Sequence, residues 1–493
     1  MIIQPREYQQ KARHWGNRML NNKRHPLLVS PTQTGKTPTA LMVVQDQILL
    51  RKKFLILVPQ IEIFSQWEND LSSLKINYGY INDQGVMGKN KDVYLCMYQS
   101  LENILTSLPE KFCKQFDIII VDECHHSPAQ SYVNIFNHFD WCLRFGLTAT
   151  PYRLDNLPLG EFYTDMYEAI KISEAIESGY LARPIIHIPD EYKNHVPTVD
   201  GINRKIQREH IQEKKIIGDM VQTYKNIFDG LPVIIPCTTH EFAKEVTDMY
   251  RNAGWRVDHI HSKLSKVDRK IIINNVKKGV TNILVTVGVG IEGMSIKGLY
   301  GIIWMRLTES ITIYMQFNGR PSNVTEDKKH FVMVDPVGVS VLHGRPDIDR
   351  KWSLDTGYEP GQDNDDEKIT MKECPCCGNM NSLENIKCWI CKYDFVTQLD
   401  AEGNVVKKKK RKLPKFIHGR LVFLDEYDFR GDDERGDSDR DRRNNIDNNS
   451  NDNNNSNGEM LIKTKAEKQE ILSKRLTGIG VKSKFKEGMK QWG

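Results

Sequence analysis

The chain has 493 residues, 39% of them hydrophobic and 27% charged, with a formal net charge of +5. That length exceeds one ordinary core and allows two domains plus additions, and no apolar run reaches the ~18 residues of a membrane-spanning helix. The mild charge neither requires nor excludes a polyanionic partner.

Met1-Ile2-Ile3-Gln4-Pro5-Arg6-Glu7 lacks the basic start and apolar core of a signal peptide, so a cytoplasmic protein without membrane association is expected. Short apolar strands then alternate with amphipathic helices up to about residue 335. Strands are predicted at 27–30, 54–58, 93–98, 117–121, 144–148, 233–237, 257–260, 283–286, 301–305 and 330–335. Helices intervene, among them Thr37 through Leu50 and Ser265 through Lys278. This alternation predicts an α/β fold of parallel sheets covered on both faces. Two such domains are expected, at 1–170 and 171–345, joined near residues 165–180. Gly179 to Pro184 reads equally as part of a hinge or as a surface turn.

Two motifs carry the chemistry. Ser30-Pro31-Thr32-Gln33-Thr34-Gly35-Lys36-Thr37 follows the apolar Leu27-Leu28-Val29. A strand that turns tightly into a helix aims backbone N–H groups at one point, which suits a triphosphate. Gly35 lets the backbone approach the phosphates, Lys36 reaches the β- and γ-phosphates, and the Thr37 hydroxyl can ligate Mg2+. Ser30 departs from the usual pattern, which has glycine there. Asp122-Glu123-Cys124-His125-His126 caps a second apolar strand, Ile118-Ile119-Ile120-Val121. Asp122 is placed to hold the same Mg2+, and Glu123 is the natural base or orienter for an attacking water. Together the motifs describe an ATP-hydrolysing motor.

From about Arg6 to about Asp335 the chain resembles superfamily 2 helicases of the DExH type, in motif order. The resemblance implies two tandem RecA-like domains. Pro5-Arg6-Glu7-Tyr8-Gln9 is similar to the family's adenine-reading motif, which puts Gln9 on the base and Thr34 to Thr37 on the phosphates. Val58-Pro59 through Gln66-Trp67, and Tyr98-Gln99-Ser100-Leu101, resemble elements that touch the nucleic-acid strand. Gly146-Leu147-Thr148-Ala149-Thr150-Pro151 resembles the motif that couples hydrolysis to strand movement, which implicates Thr148 and Thr150 together with His125 and His126. Gln316-Phe317-Asn318-Gly319-Arg320-Pro321 resembles the arginine-finger motif, so Gln316 and Arg320 join Lys36 and Glu123 as catalytic candidates.

Asn323 stands where the family usually has a second arginine, and Ser295 where many relatives carry aspartate. The run Gly293-Met294-Ser295-Ile296-Lys297 is closest to UvsW-type phage helicases, which remodel branched DNA. A DNA helicase or translocase acting on forked or branched DNA is therefore expected. An RNA helicase, or a clamp that binds ATP and hydrolyses it weakly, remains open.

Beyond the motor the composition changes. An acidic linker is expected at 346–371, followed by a zinc ribbon at 372–397. Five of the ten cysteines fall between Cys374 and Cys391. Cys374, Cys377, Cys388 and Cys391 have the spacing of four thiolate ligands for a structural Zn2+, leaving Cys376 spare. Such a module could bind nucleic acid or a protein partner. A basic segment (398–429) contains Lys407-Lys408-Lys409-Lys410-Arg411-Lys412, which suits phosphates or, in a eukaryotic host, nuclear import. Residues 430–458 are rich in asparagine and are expected to be disordered. A basic tail, 459–493, ends the chain.

Overall fold

The computed structural model describes residues 4–152, 158–188, 216–261, 264–287, 296, 298–355, 371–373, 380–382, 386–388, 393–394, 416–417 and 420–421. Eight strands build a first sheet: β1 (Pro26–Val29), β2 (Phe54–Val58), β3 (Tyr78–Asn82), β4 (Gly85–Met87), β5 (Val93–Met97), β6 (Ile118–Asp122), β7 (Leu143–Thr148) and β8 (Asp165–Glu168). Their spatial order is β4-β3-β5-β2-β6-β7-β1-β8, and only the β3–β4 pair is antiparallel. Six further strands form a second sheet: β9 (Arg183–His187), β10 (Val233–Cys237), β11 (Val257–Ile260), β12 (Ile283–Val287), β13 (Gly301–Ile303) and β14 (His330–Val334). Their order is β11-β12-β10-β13-β14-β9, all parallel.

The continuous apolar runs explain this arrangement. A strand covered by helices on both faces must be apolar at every position, and β1, β2, β6 and β10 are buried throughout. Successive side chains point to opposite faces. Leu27, Val29, Leu55, Leu57, Ile119 and Val121 therefore enter one core, while Leu28, Phe54, Ile56, Val58, Ile118 and Ile120 enter the other. The second sheet has its own core around Ile234, Val285, Ile302 and Trp304.

All ten predicted strands are present, with ends shifted by no more than two residues. β3, β4, β8 and β9 escaped sequence reading. The four residues of β8, Asp-Met-Tyr-Glu, are all half-buried and show no apolar alternation, because β8 is an edge strand. It pairs with β1, so the expected join at 165–180 begins inside the first sheet. The proposed hinge narrows likewise. Gly179 turns the chain with a φ of +72°, but Arg183 and Pro184 already lie in β9, opposite His330 and Phe331.

The first ten residues of the expected acidic linker are packed rather than free. Asp349 accepts hydrogen bonds from the Ser173 N–H and hydroxyl at 2.9 and 2.5 Å. The Gly160 N–H donates to the Leu354 carbonyl at 2.8 Å, and the Ser353 N–H donates to the Tyr152 hydroxyl at 3.0 Å. Trp352 touches the cores of both domains. Residues 344–355 thus strap the second domain to the first.

The C-terminal expectations are reached only in part. Cys374, Cys376, Cys377 and Cys391, the basic run Lys407–Lys412, residues 430–458 and the tail 459–493 lie outside the described residues, as does Ser295. Two short antiparallel pairs are described: β15 (Met371–Glu373) with β16 (Met380–Ser382), and β17 (Phe416–Ile417) with β18 (Arg420–Leu421). No described helix is long and apolar enough to cross a membrane.

The strap makes a testable demand. Trp352→Ala should cost about 2–4 kcal/mol, somewhat less than a fully buried Trp truncation. It should also expose the segment after Pro346 to limited proteolysis. An unchanged urea midpoint with unchanged cleavage would show that the strap holds nothing together.

Candidate functional site

In parallel sheets the polar turns that follow the strands gather at one edge. β1, β7 and β6 are consecutive in the first sheet, so Ser30, Thr148 and Asp122 meet at their carboxyl ends. The Ser30 N–H donates to the Thr148 carbonyl at 3.0 Å, which prolongs the β1–β7 pairing into the loop. The Ser30 hydroxyl lies 2.6 Å from that of Thr34, and the Thr34 hydroxyl donates to the Pro31 carbonyl at 2.6 Å. Serine therefore serves here as an internal brace of the loop.

Gln33 and Gly35 both adopt left-handed backbone, with φ of +73° and +89°. At Gly35 crowding adds to conformation, because a Cβ there would come within 2.5 Å of Gln9 Nε2. Gln9 is committed to the loop: its amide donates to the Thr34 and Gly35 carbonyls at 3.2 and 3.4 Å, and its Oε1 accepts from the Arg6 N–H. The Tyr8 hydroxyl also donates to the Thr34 carbonyl. Lys36 Nζ lies 3.3 Å from the Ser30 carbonyl, at the mouth of the loop.

Asp122 is 5% exposed. Trp67 donates its indole N–H to Asp122 Oδ2 at 2.8 Å, and the Glu123 N–H donates to Oδ1 at 2.9 Å. Burial raises the Asp122 pKa, while the Trp67 hydrogen bond and the charge of Lys36 oppose the shift. A buried carboxylate with so little positive charge nearby is a fitting cation ligand, and Thr37 lines the same cleft. The sequence reading set Trp67 against nucleic acid. It is instead fully buried and orients Asp122, while its neighbour Gln66 reaches Thr37 at 3.5 Å.

Glu123 sits in left-handed conformation, φ 49° and ψ 51°. For a residue with a Cβ this costs about 1–2 kcal/mol. The strain turns its carboxylate back toward His125, whose Nδ1 lies 3.5 Å from Glu123 Oε2 and 3.2 Å from Thr148 Oγ1. The Thr148 hydroxyl donates to the Thr150 carbonyl at 2.9 Å and accepts from the Thr150 N–H at 3.1 Å. With that proton spent, Nδ1 is the donor in the His125–Thr148 contact. The structure thus brings Glu123, His125, Thr148 and Thr150 into one chain of contacts, with the His126 ring 4.2 Å from His125. Cys124 is fully buried, and burial together with Glu123 and Asp122 pushes its thiol well above the ordinary range, so it is inert.

The second domain faces this edge across a cleft of about 730 Å³. Gly35, Lys36, Thr37, Asp122 and Glu123 line one side, and Arg269, Lys270, Lys277 and Arg320 line the other. Arg320 follows the helix Ile311–Gly319 and is 4% exposed. That helix meets the phosphate-type loop so closely that a Cβ on Gly319 would lie 2.6 Å from Thr32 Cβ. Arg269 closes the rim through an ion pair with Glu62 at 2.8 Å. Gln316 does not line the cleft. It is buried, and its amide nitrogen has no hydrogen-bond partner among the described residues.

Trp67→Phe tests the orienting bond. It keeps the apolar body and removes the donor, so a buried carboxylate loses a partner at a cost of about 1–3 kcal/mol in denaturant unfolding. A loss below a few tenths would mean that the indole N–H contributes no support to Asp122.

Two protein families match the chain in succession: "Type III restriction enzyme, res subunit" over residues 2–153, and "Helicase conserved C-terminal domain" over residues 216–323. Among curated relatives, the "51.5 kDa protein" of a Lactococcus phage is 27% identical over 314 residues, covering 60% of this chain and 67% of its own. The "DNA 3'-5' translocase XPB2" of Sulfurisphaera tokodaii is 32% identical over 42% of this chain and 45% of its own. The "ATP-dependent DNA helicase uvsW" of Enterobacteria phage T4 is 21% identical over 64% and 65%. The chain therefore spans about two thirds of the phage relatives and under half of the archaeal one. A fragment described as an HsdR subunit of a type I restriction enzyme from Vibrio vulnificus YJ016 shares the fold. Its TM-score is 0.57 at 21% identity, over 68% of this chain and 65% of that one. Two matched halves follow the order of the two sheets and meet at a cleft lined by Lys36, Asp122, Glu123 and Arg320, the arrangement of a superfamily 2 helicase ATPase.

Proposed function

We propose that the protein is an ATP-dependent DNA helicase or translocase that remodels forked or branched DNA. One observation carries the motor reading: Arg320 of the second domain faces Lys36, Asp122 and Glu123 of the first across a single cleft. Each domain alone holds half of a hydrolytic site, so hydrolysis and domain movement become one event. The DNA part of the reading rests on the printed names of the archaeal and T4 relatives.

In this mechanism the loop from Thr34 to Thr37 binds the phosphates through its N–H groups, and Lys36 neutralises the terminal ones. Magnesium, held by Thr37 and Asp122, supplies further charge neutralisation when bound. Glu123 orients the attacking water and accepts its proton. Arg320 stabilises charge on the transferring phosphoryl group, an effect that only a closed cleft delivers. Gln9, braced on the loop, reads the base. Once the phosphate leaves, the chain from Glu123 through His125 to Thr148 and Thr150 passes the change to the segment after β7.

We also assign one structural zinc to Cys374, Cys377, Cys388 and Cys391. The Cys388 N–H donates to the Tyr393 carbonyl at 2.6 Å, and Lys387 bridges Asp394. Metal analysis of the purified full chain should find one zinc, lost in Cys388→Ser. Protein free of zinc that remains folded would end this assignment.

ATP hydrolysis measured with single-stranded DNA, forked DNA, a four-way junction and single-stranded RNA tests the central reading. Branched DNA should stimulate turnover most. Lys36→Ala should abolish it, and Glu123→Gln should reduce it by about 10²–10⁴-fold. Stimulation by RNA alone would make the chain an RNA motor. ATP binding without stimulated turnover would make it an ATP-switched clamp.

A further inference from the structure

Lys328 is 3% exposed, and no carboxylate pairs with its ammonium among the described residues. Its three donors all reach oxygen: the Leu299 carbonyl at 2.7 Å, the Pro321 carbonyl at 2.6 Å and Asn323 Oδ1 at 2.9 Å. An ammonium has three N–H donors, so this one is fully spent on neutral acceptors. A buried charge without a counter-charge is costly, and here its donors satisfy three oxygens that an apolar side chain would leave without them. Burial alone lowers the Lys328 pKa to about 7. The position therefore combines a desolvation cost with three hydrogen bonds to one small region.

The acceptors show what that cost secures. Pro321 directly follows Arg320, and Asn323 closes the same turn. Leu299 leads into β13, beside which the helix Ile311–Gly319 packs its Tyr314 and Phe317 rings on Trp304. Two further bonds hold the turn: the Ser322 hydroxyl donates to the Gly319 carbonyl at 2.7 Å, and the Ala182 N–H donates to the Ser322 carbonyl at 2.7 Å. The Ala182 bond ties the turn to the start of β9, and Lys328 is the one of these ties that reaches the β13 side. It also occupies Asn323, the residue that departs from the family's second arginine, and directs its side-chain oxygen into the protein.

We propose that Lys328 is a positioning residue for Arg320, pinning the turn behind the finger to β13 so that the guanidinium meets the cleft in one geometry. The proposal rests on the reading of Arg320 as the cation that acts across the cleft. A long side chain on a loosened turn loses its alignment, and misplacement of about 1 Å can cost on the order of 10²-fold in rate. The effect falls on turnover and not on ATP binding, which the first domain's loop performs.

A double-mutant cycle tests this, using wild type, Arg320→Ala, Lys328→Met and the double variant of the full chain. kcat and KM for ATP are measured with saturating single-stranded DNA, and thermal midpoints and nucleotide binding are followed in parallel. Lys328→Met should lower kcat by about tenfold or more while KM and nucleotide affinity stay within about threefold. Added to Arg320→Ala it should lower kcat no further, because coupled residues are non-additive. Wild-type kcat in Lys328→Met, or losses that multiply in the double variant, would overturn the proposal. If Arg320→Ala turns over like wild type, the finger reading itself fails and the positioning role falls with it. Should Lys328→Met not fold, Asn323→Ala removes one acceptor alone. Its smaller kcat loss, again absent on the Arg320→Ala background, would carry the same decision.

Discussion

Parallel strands buried on both faces impose one constraint from which the rest of this molecule follows. Their interiors admit only apolar side chains, so polar chemistry is driven to the strand ends, and in a parallel sheet the carboxyl ends share an edge. β1, β7 and β6 accordingly deliver Ser30, Thr148 and Asp122 to neighbouring points. No long-range electrostatic design is needed to collect them. The local effort goes into turning the chain once it leaves the strand: left-handed backbone at Gln33, Gly35 and Glu123, a serine–threonine brace, and Gln9 supporting the loop from below.

A single edge does not make a motor, because half of the charge needed at the phosphates comes from elsewhere. The second sheet contributes Arg269, Lys270, Lys277 and Arg320 to the opposite wall. Three kinds of contact hold the walls in register. The Glu62–Arg269 ion pair spans the rim, Gly319 meets Thr32 at a distance that excludes any side chain, and the strap carries Trp352 between the two cores. The ion pair depends on charges that salt can screen, whereas the indole contact depends on apolar burial, so the two respond differently to ionic strength.

Much of this was legible in the sequence, for a physical reason. Fully buried strands show as unbroken apolar runs, and phosphate loops need glycine and lysine at fixed spacing, so β1, β2, β6 and β10 and residues such as Lys36 and Asp122 stood out. β4, β8 and β9 are edge strands with one neighbour each, and β3, beside the edge, alternates buried and exposed residues, so none of them showed an unbroken apolar run. Trp67 was read in another role and Lys328 was passed over, because Asp122 lies 55 residues from Trp67 and Leu299 29 residues from Lys328, contacts reached only through the fold. The strap was hidden by its charged, loop-like composition, in which three aspartates are matched by Arg345, Arg350 and Lys351. Asp347 pairs with Arg345, and Asp349 accepts hydrogen bonds from Ser173, contacts that composition does not record. Gln316, a catalytic candidate by resemblance, is buried and is not among the residues that line the cleft.

The strap also gives the chain a mechanical polarity. A polypeptide that left the second domain directly would let anything fused to it ride freely on that domain. Here the exit at Asp355 lies against the first domain, beside Gly160, with an indole wedged between both cores just upstream. A load applied to the chain beyond Asp355 is thus passed to both halves at once. A pull on that exit reaches the contacts between the two domains and not one domain alone.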